Sequence, residues 1–279
     1  MSSRVPIRVA HSPDSDDAFM FYALATGKLT TGRFKLEHIL SDIETLNRKA
    51  QAGEYEITAI SFHAYPYLQT RYRLLPHGGS VGYNYGPMVV AARPMEPDEL
   101  RQSEVAIAGE LTTSALALKL WHPSIRTRVM PFDQIVDAVA RGEAAAGLLI
   151  HEGQLTYARA GLHKVLDLGQ WWLAETQLPL PLGGNAIRRD LPEADARKLS
   201  HLLEASIRYG LEHREEALNY ALQFARDMDP GLADQFVGMY VNQRTLRYGD
   251  DDRQAIARLL TLGHERGIIP VAPILDFLE

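Results

Sequence analysis

Residues 77–93, HGGSVGYNYGPMVVAAR, and residues 179–188, PLPLGGNAIR, decide the fold. Each joins a glycine- or proline-rich stretch to an apolar, strand-like run, and each interrupts a regular alternation of short strands and amphipathic helices. Before the first, strands are predicted at Ile7–Ala10, Phe34–Ile39 and Ile57–Phe62. Helices are predicted at Asp17–Ala25 and at Ile43–Ala50 with Asp42 as N-cap, and a short one through Tyr65 and Leu68. Between the two stretches a second series runs: strand Val105–Ala108, helix Thr113–Leu120, strand Thr127–Met130, helix Phe132–Ala140, strand Ala146–Ile150. Past the second, Asn185–Arg188 re-enters the first series. The chain from about Pro192 is then mostly helical, with Leu199, Leu202, Leu203, Ser206, Ile207 and Leu211 on one face and further amphipathic runs at 214–227 and 252–264.

Alternating strands and helices imply α/β architecture with largely parallel sheets. Two series crossed twice imply two lobes and a cleft, a bilobal fold of the periplasmic-binding-protein type (type II). Lobe 1 is expected to comprise residues 1–92 and 187–279, and lobe 2 residues 93–186. Ligands of such folds sit between the lobes, at strand ends.

Composition narrows the function. The 279 residues include no cysteine, which removes thiolate nucleophiles, disulfides and cysteine-held metal sites. The net charge of −6, with scattered arginines and no basic stripe, argues against nucleic acid as a partner. No stretch approaches the roughly 20 apolar residues of a membrane span. The opening residues Met1–Ala10 run straight into a strand without the apolar core of a secretory leader, so a cytoplasmic location is expected.

Four strand-to-helix turns carry polar residues that would face a cleft: residues 11–17 (HSPDSDD), 61–63 (SFH), 109–114 (GELTTS) and 151–153 (HEG). Helix N-termini hold anions with backbone amides alone, and Ser12, Asp14, Ser61, Thr112, Thr113 and Ser114 suit such a site. Each of these residue types is equally a helix cap. His151 closes an apolar strand beside Glu152; it reads either as a general base or as a structural histidine. Glu152 is the nearest candidate in sequence to fix its tautomer. No His/carboxylate spacing of a metal centre, no nucleophile elbow and no phosphate loop is present, so neither metal nor cofactor is expected. The Trp171–Trp172 pair reads as a stacking platform or as packing.

Over these turns the chain resembles the 1,4-dihydroxy-6-naphthoate synthases of the futalosine route to menaquinone. The resemblance is densest in residues 146–172 (AGLLIHEGQLTYARAGLHKVLDLGQWW), 178–191 (LPLPLGGNAIRRDL), 11–24 (HSPDSDDAFMFYAL) and 41–50 (SDIETLNRKA). It implies a cofactor-free lyase acting on cyclic dehypoxanthinyl futalosine, a small carboxylate. It implies His151 as general base, with substrate contacts at Ala59, Ile60 and Ser61 and at Thr113 and Ser114. The chain departs from the family at its first turn, where S-P-C-P-N-D-T-F is usual and Ser12-Pro13-Asp14-Ser15-Asp16-Asp17-Ala18-Phe19 stands. It departs again where family enzymes can carry basic residues and this chain has Ala59, Glu110 and Leu111. A more acidic cleft should repel an anionic substrate unless a helix N-terminus or an arginine compensates. Asp14 and Asp16 are therefore expected not both to face the ligand. Two other readings stay open: a solute-binding protein of the same fold, and a related lyase with a drifted substrate, such as a chorismate dehydratase.

Overall fold

The computed structural model describes residues 4–225 and 228–279. The start of the expected N-terminal strand approach, residues 1–3, and the end of the run expected at 214–227 lie outside the described residues.

The strands fall into two sheets. In the first, β1 (Val5–His11) pairs in parallel with β2 (Phe34–Leu40) along its whole length and with β3 (Ile57–Ser61) at Val9 and Ala10. β3 is buried throughout, as its apolar run ITAIS requires of a central strand. Three later strands complete this sheet or its neighbour: β4 (Tyr72–Leu74), β5 (Ser80–Gly82) and β6 (Met88–Ala91). The rest are β7 (Glu104–Ile107), β8 (Arg126–Val129), β9 (Ala146–Leu149), β10 (His163–Asp167) and β11 (Leu180–Arg188). The first sheet runs β2-β1-β3-β11-β4, with β5 on β11; the second runs β10-β6-β9-β7-β8. β7 is parallel to β8 and β9, while β6 and β11 run antiparallel to their neighbours.

These pairings move the expected crossings. Met88–Ala91, assigned from sequence to the first lobe, belongs to the second sheet. Leu180–Ala186, assigned to the second lobe, lies in the first sheet. The apolar run MVVA satisfies the centre of either sheet, so its composition carries no information about its partner. We propose lobe boundaries ahead of residue 88 and between Asp167 and Leu180 instead.

The C-terminal helices pack mainly on the first sheet. Helix Glu193–Glu212 lies along helix Ser15–Ala25, where Ser206 Oγ donates to the Met20 carbonyl at 2.8 Å and Gly210 lets the Phe19 backbone approach closely. Burying Phe19, Met20 and Phe21 there is worth about 1.5–3 kcal/mol per side chain. Helix Asp250–Glu265 packs on β11 and also reaches Leu116 of the second lobe's helix Thr113–Trp121 through Gly263. No described helix is long and apolar enough to cross a membrane.

Candidate active site

β1, β3, β7 and β9 all end at one cavity of about 750 Å³, counting its open mouth. Within each sheet these strands run parallel, so the turns that follow them emerge on the same side. The cavity brings together Ser12, Ala59, Ile60, Ser61, Thr112, Thr113, Ser114 and His151 from all four turns. Asp14, expected among the ligand contacts, does not line it.

The first turn sorts its three carboxylates by partner. Asp17 Oδ2 accepts from the Ser12 amide at 2.7 Å and from Ser12 Oγ at 2.8 Å, closing the loop onto the helix that starts at Ser15. Asp14 occupies the N-cap position without bonding a helix amide through its side chain. It is 1% exposed, and its Oδ2 lies 3.0 Å from His151 Nδ1. Asp16 faces the cavity. The acceptor that fixes the imidazole is therefore Asp14 and not Glu152, because β1 and β9 end side by side at the cleft. Glu152 is buried close by and acts on the ring through its charge.

His151 has φ +60°, a left-handed conformation that costs a non-glycine residue about 1–3 kcal/mol and is characteristic of functional sites. Phe132 packs edge-on against the ring, with centroids 5.1 Å apart. Burial works against a charge on this imidazole, but the Asp14 carboxylate, aided by Glu152 and Asp16, outweighs it and lifts the pKa to about 9. Asp16 moves up as well, through burial first and then the charges of Asp17 and Asp14. Asp17 is raised by burial, which its Ser12 bonds oppose.

The opposite wall is built from hydroxyls and amides. Thr112 is a true N-cap: its Oγ1 accepts from the Ala115 amide at 3.2 Å and donates to the Gly109 carbonyl at 2.9 Å. The Thr113 hydroxyl donates to the Leu182 carbonyl, tying this helix to β11. Ser114 Oγ lies 2.9 Å from Thr112 Oγ1. What the helix start keeps for a ligand is chiefly its first amides, which have no intrahelical carbonyl to bind. No lysine or arginine lines the cavity among the described residues.

Several site residues escaped the sequence reading. Asn47, fully buried on helix Ile43–Gln51, accepts from the Ser61 amide at 2.8 Å and donates to Ser61 Oγ at 3.1 Å. Glu44, one turn earlier on the same face, accepts from the Leu111 amide at 3.0 Å. The pair bridges the second and third turns, and so both lobes. The one signal was two polar residues spaced i, i+3 within a helix. Gln154 and Tyr240 also line the cavity, with the Tyr240 hydroxyl donating to Gln154 Oε1 at 2.8 Å; nothing local in the sequence marks Tyr240. His63 is held through Nδ1 to the Thr112 carbonyl at 3.1 Å, and burial keeps its pKa down near 4. Trp172 is fully buried, with Nε1 donating to the Pro179 carbonyl at 3.0 Å, so the tryptophan pair is packing and not a ligand platform.

One donor atom each of Asp14, His151 and Glu152 lies within 4.8 Å of the others, although Asp14 is remote from the other two in sequence. Nδ1 already meets Asp14 directly, so its proton sits where a metal would need its lone pair. The cluster reads as an imidazole surrounded by carboxylates.

The family described as menaquinone biosynthesis matches residues 7–265. Two relatives, each a 1,4-dihydroxy-6-naphthoate synthase, are similar over nearly the whole chain. The protein of Thermus thermophilus is 39% identical over 96% of this chain and 97% of its own. That of Streptomyces coelicolor is 37% identical over 95% of both. Among solved structures, a protein of Archaeoglobus fulgidus superimposes with a TM-score of 0.91 at 46% identity, covering 95% of this chain and 98% of its own. The alkanesulfonate-binding protein of Xanthomonas axonopodis pv. citri shares the fold alone, with a TM-score of 0.75 at 10% identity over 99% of this chain and all of its own.

Proposed function

The chain belongs to the menaquinone biosynthesis family, and from that membership we propose how its cleft works as a 1,4-dihydroxy-6-naphthoate synthase. It is a lyase that releases the dihydroxynaphthoate from cyclic dehypoxanthinyl futalosine, in our reading within the cytoplasm. The observation that carries the mechanism is His151 lining the cavity with Nδ1 held by Asp14, which leaves Nε2 for proton exchange. His151 acts as base from its neutral form, which a pKa of about 9 makes the minor one at neutral pH; it takes a proton from the substrate, and aromatisation of the new ring drives loss of the sugar-derived fragment.

Among the described residues, the substrate carboxylate has no lysine or arginine to meet on the cavity wall. The start of helix Thr113–Trp121 and the Ser61 hydroxyl, held in place by Asn47, offer the anion donors that remain. These donors come from β3 and β7, whereas the acidic groups come from β1 and β9. An anionic headgroup is therefore better met by the turns after β3 and β7 than by those that carry Asp14 and Asp16. Closing the lobes would exclude water and fix the reacting groups.

Incubating the protein with cyclic dehypoxanthinyl futalosine and following naphthoate absorbance tests the reading. His151→Asn should still bind the substrate while turnover drops about 10²–10⁴-fold, the usual contribution of a general base. An H151N protein with near-full turnover would remove His151 from this role. Tight binding by the wild type without any turnover would select the solute-binding alternative.

A further inference from the structure

Resting on the lyase reading above, we propose that Asp16, Gln154 and Tyr240 form a subsite for neighbouring hydroxyls of the sugar-derived fragment, separate from the turns that meet the carboxylate.

Three segments remote in sequence build this subsite. Asp16 stands in the first turn of helix Ser15–Ala25, Gln154 in the short helix Gly153–Thr156, and Tyr240 at the end of helix Pro230–Tyr240. All three line the cavity together with His151. The Gln154 amide N–H donates to the His151 carbonyl at 3.2 Å, which keeps the two residues side by side. Asp16 acts through its charge on both His151 and Tyr240, so it belongs to the same corner.

Hydrogen bonding decides what each group can offer. The Tyr240 hydroxyl donates to Gln154 Oε1 at 2.8 Å, and edge-on contacts with Tyr85 and Phe236, at 5.8 and 5.3 Å between centroids, hold the phenol ring. With Oε1 engaged the side-chain amide has a fixed orientation, and Nε2, which donates to no described residue, is its remaining donor end. Gln154 is only 4% exposed, and Asp16 Oδ1 is also buried with no hydrogen-bond partner. A donor and an acceptor left unmet on one cavity wall call for an explanation, and a ligand that offers both supplies one.

The ligand chemistry follows from that pairing. A carboxylate would meet Asp16 and Asp17 on this wall and be repelled. A hydroxyl is neutral, and it both donates and accepts. One hydroxyl of the fragment accepts from Gln154 Nε2 while its neighbour donates to Asp16 Oδ1, and the lone pairs of the Tyr240 oxygen are open to a further O–H. A carboxyl group accepts whether or not it carries a proton, so the subsite does not depend on the ionisation of Asp16. It asks for an acceptor oxygen and not for an acid, so the asparagine usual at this position in the proteins that the chain resembles would serve as well. With the fragment held here and the carboxylate at Ser61 and the start of helix Thr113–Trp121, the substrate can enter the cleft in one direction only.

The test compares KM for cyclic dehypoxanthinyl futalosine with the inhibition constant of the product, 1,4-dihydroxy-6-naphthoate, which has lost the fragment. It uses the full-length wild type and the variants Gln154→Leu, Asp16→Ala and Asp16→Asn. Q154L and D16A should each raise KM about 3–10-fold, the usual worth of one hydrogen bond, with kcat changed less. The inhibition constant of the product should stay as in the wild type. D16N keeps an acceptor oxygen and should recover most of the KM lost in D16A. An unchanged KM in Q154L, or a D16N enzyme as impaired in KM as D16A, overturns the proposal. Equal weakening of substrate and product overturns it too, because that is a distortion of the whole cavity. A wild type that is itself inactive on this substrate overturns the lyase reading, and the assignment of the fragment with it.

Discussion

Asp14 Oδ2 lies 3.0 Å from His151 Nδ1, a contact between two turns that follow strands in different sheets. The pair crosses the cleft, so it couples the electrostatics of the imidazole to the approach of the two lobes. It also keeps Asp14 off the cavity wall, which Asp16 and Asp17 still line.

Asp14→Asn keeps the shape of that contact and removes its charge. Burial, the largest influence on this imidazole, then acts with less opposition, and the His151 pKa should fall from about 9 towards or below the ordinary 6.5. The rising limb of the pH–rate profile should move to lower pH with it. Nitrogen NMR of the labelled imidazole reads the shift directly, and an unmoved titration would show that Asp14 does not set it.

Asn47→Ala removes the side chain that holds both the amide and the hydroxyl of Ser61. Leaving buried partners unsatisfied costs about 1–3 kcal/mol each, so a clear drop in melting temperature is expected. KM should rise more than kcat falls if, as proposed, Ser61 holds the substrate carboxylate. A change confined to kcat would contradict that division of labour.

Gly169 lies in the DLG segment, where Asp167 caps the following helix by accepting from the amides of Gly169 and Gln170. A Cβ there would stand 2.1 Å from the Tyr85 backbone, which has no freedom to yield as a flexible side-chain end has. Gly169→Ala should destabilise by about 1–3 kcal/mol through overpacking. Denaturant unfolding measures it, and a neutral effect would mean that the crossing segment at Tyr85 shifts freely.

Acid should destabilise the fold through four histidines, three of them buried and His38 half-buried. Burial is the first cause holding His11, His38, His63 and His77 each near 4, below the unfolded value of about 6.5. Between those values the unfolded chain binds more protons, so the stability they contribute is present above pH 6.5 and lost as pH falls towards 4. Each group contributes up to about 1.4 kcal/mol per pH unit in that window. Asp16 and Asp17, raised in the folded state, act in the opposite sense over much of the same range. Asp16→Asn should consequently steepen the acid loss and stabilise the protein at alkaline pH, where the wild-type carboxylate is buried and charged. Melting curves from pH 4 to 9 check both signs.

Local patterns carried the strand and helix series, the α/β class and the four turns, because period, capping and apolar runs act over a few residues. Asp42 and Thr112 cap their helices as their residue types require. Which sheet receives Met88–Ala91 or Leu180–Ala186 was not legible, since an apolar strand carries no mark of its partner. The site divides in the same way. His151 and the hydroxyl turns stood out from residue type and position, but their partners did not. Glu152 is adjacent to His151 in sequence, yet Asp14, reaching across the cleft from the end of a strand in the other sheet, is the carboxylate that meets its Nδ1. Asn47 and Tyr240 sit inside helices whose patterns speak only of packing. Residue type and short-range spacing made the chemistry available; the meeting of the β1 and β9 ends, one from each sheet, across the cleft decided which carboxylate holds the His151 imidazole, because contacts between distant segments depend on how whole sheets are placed.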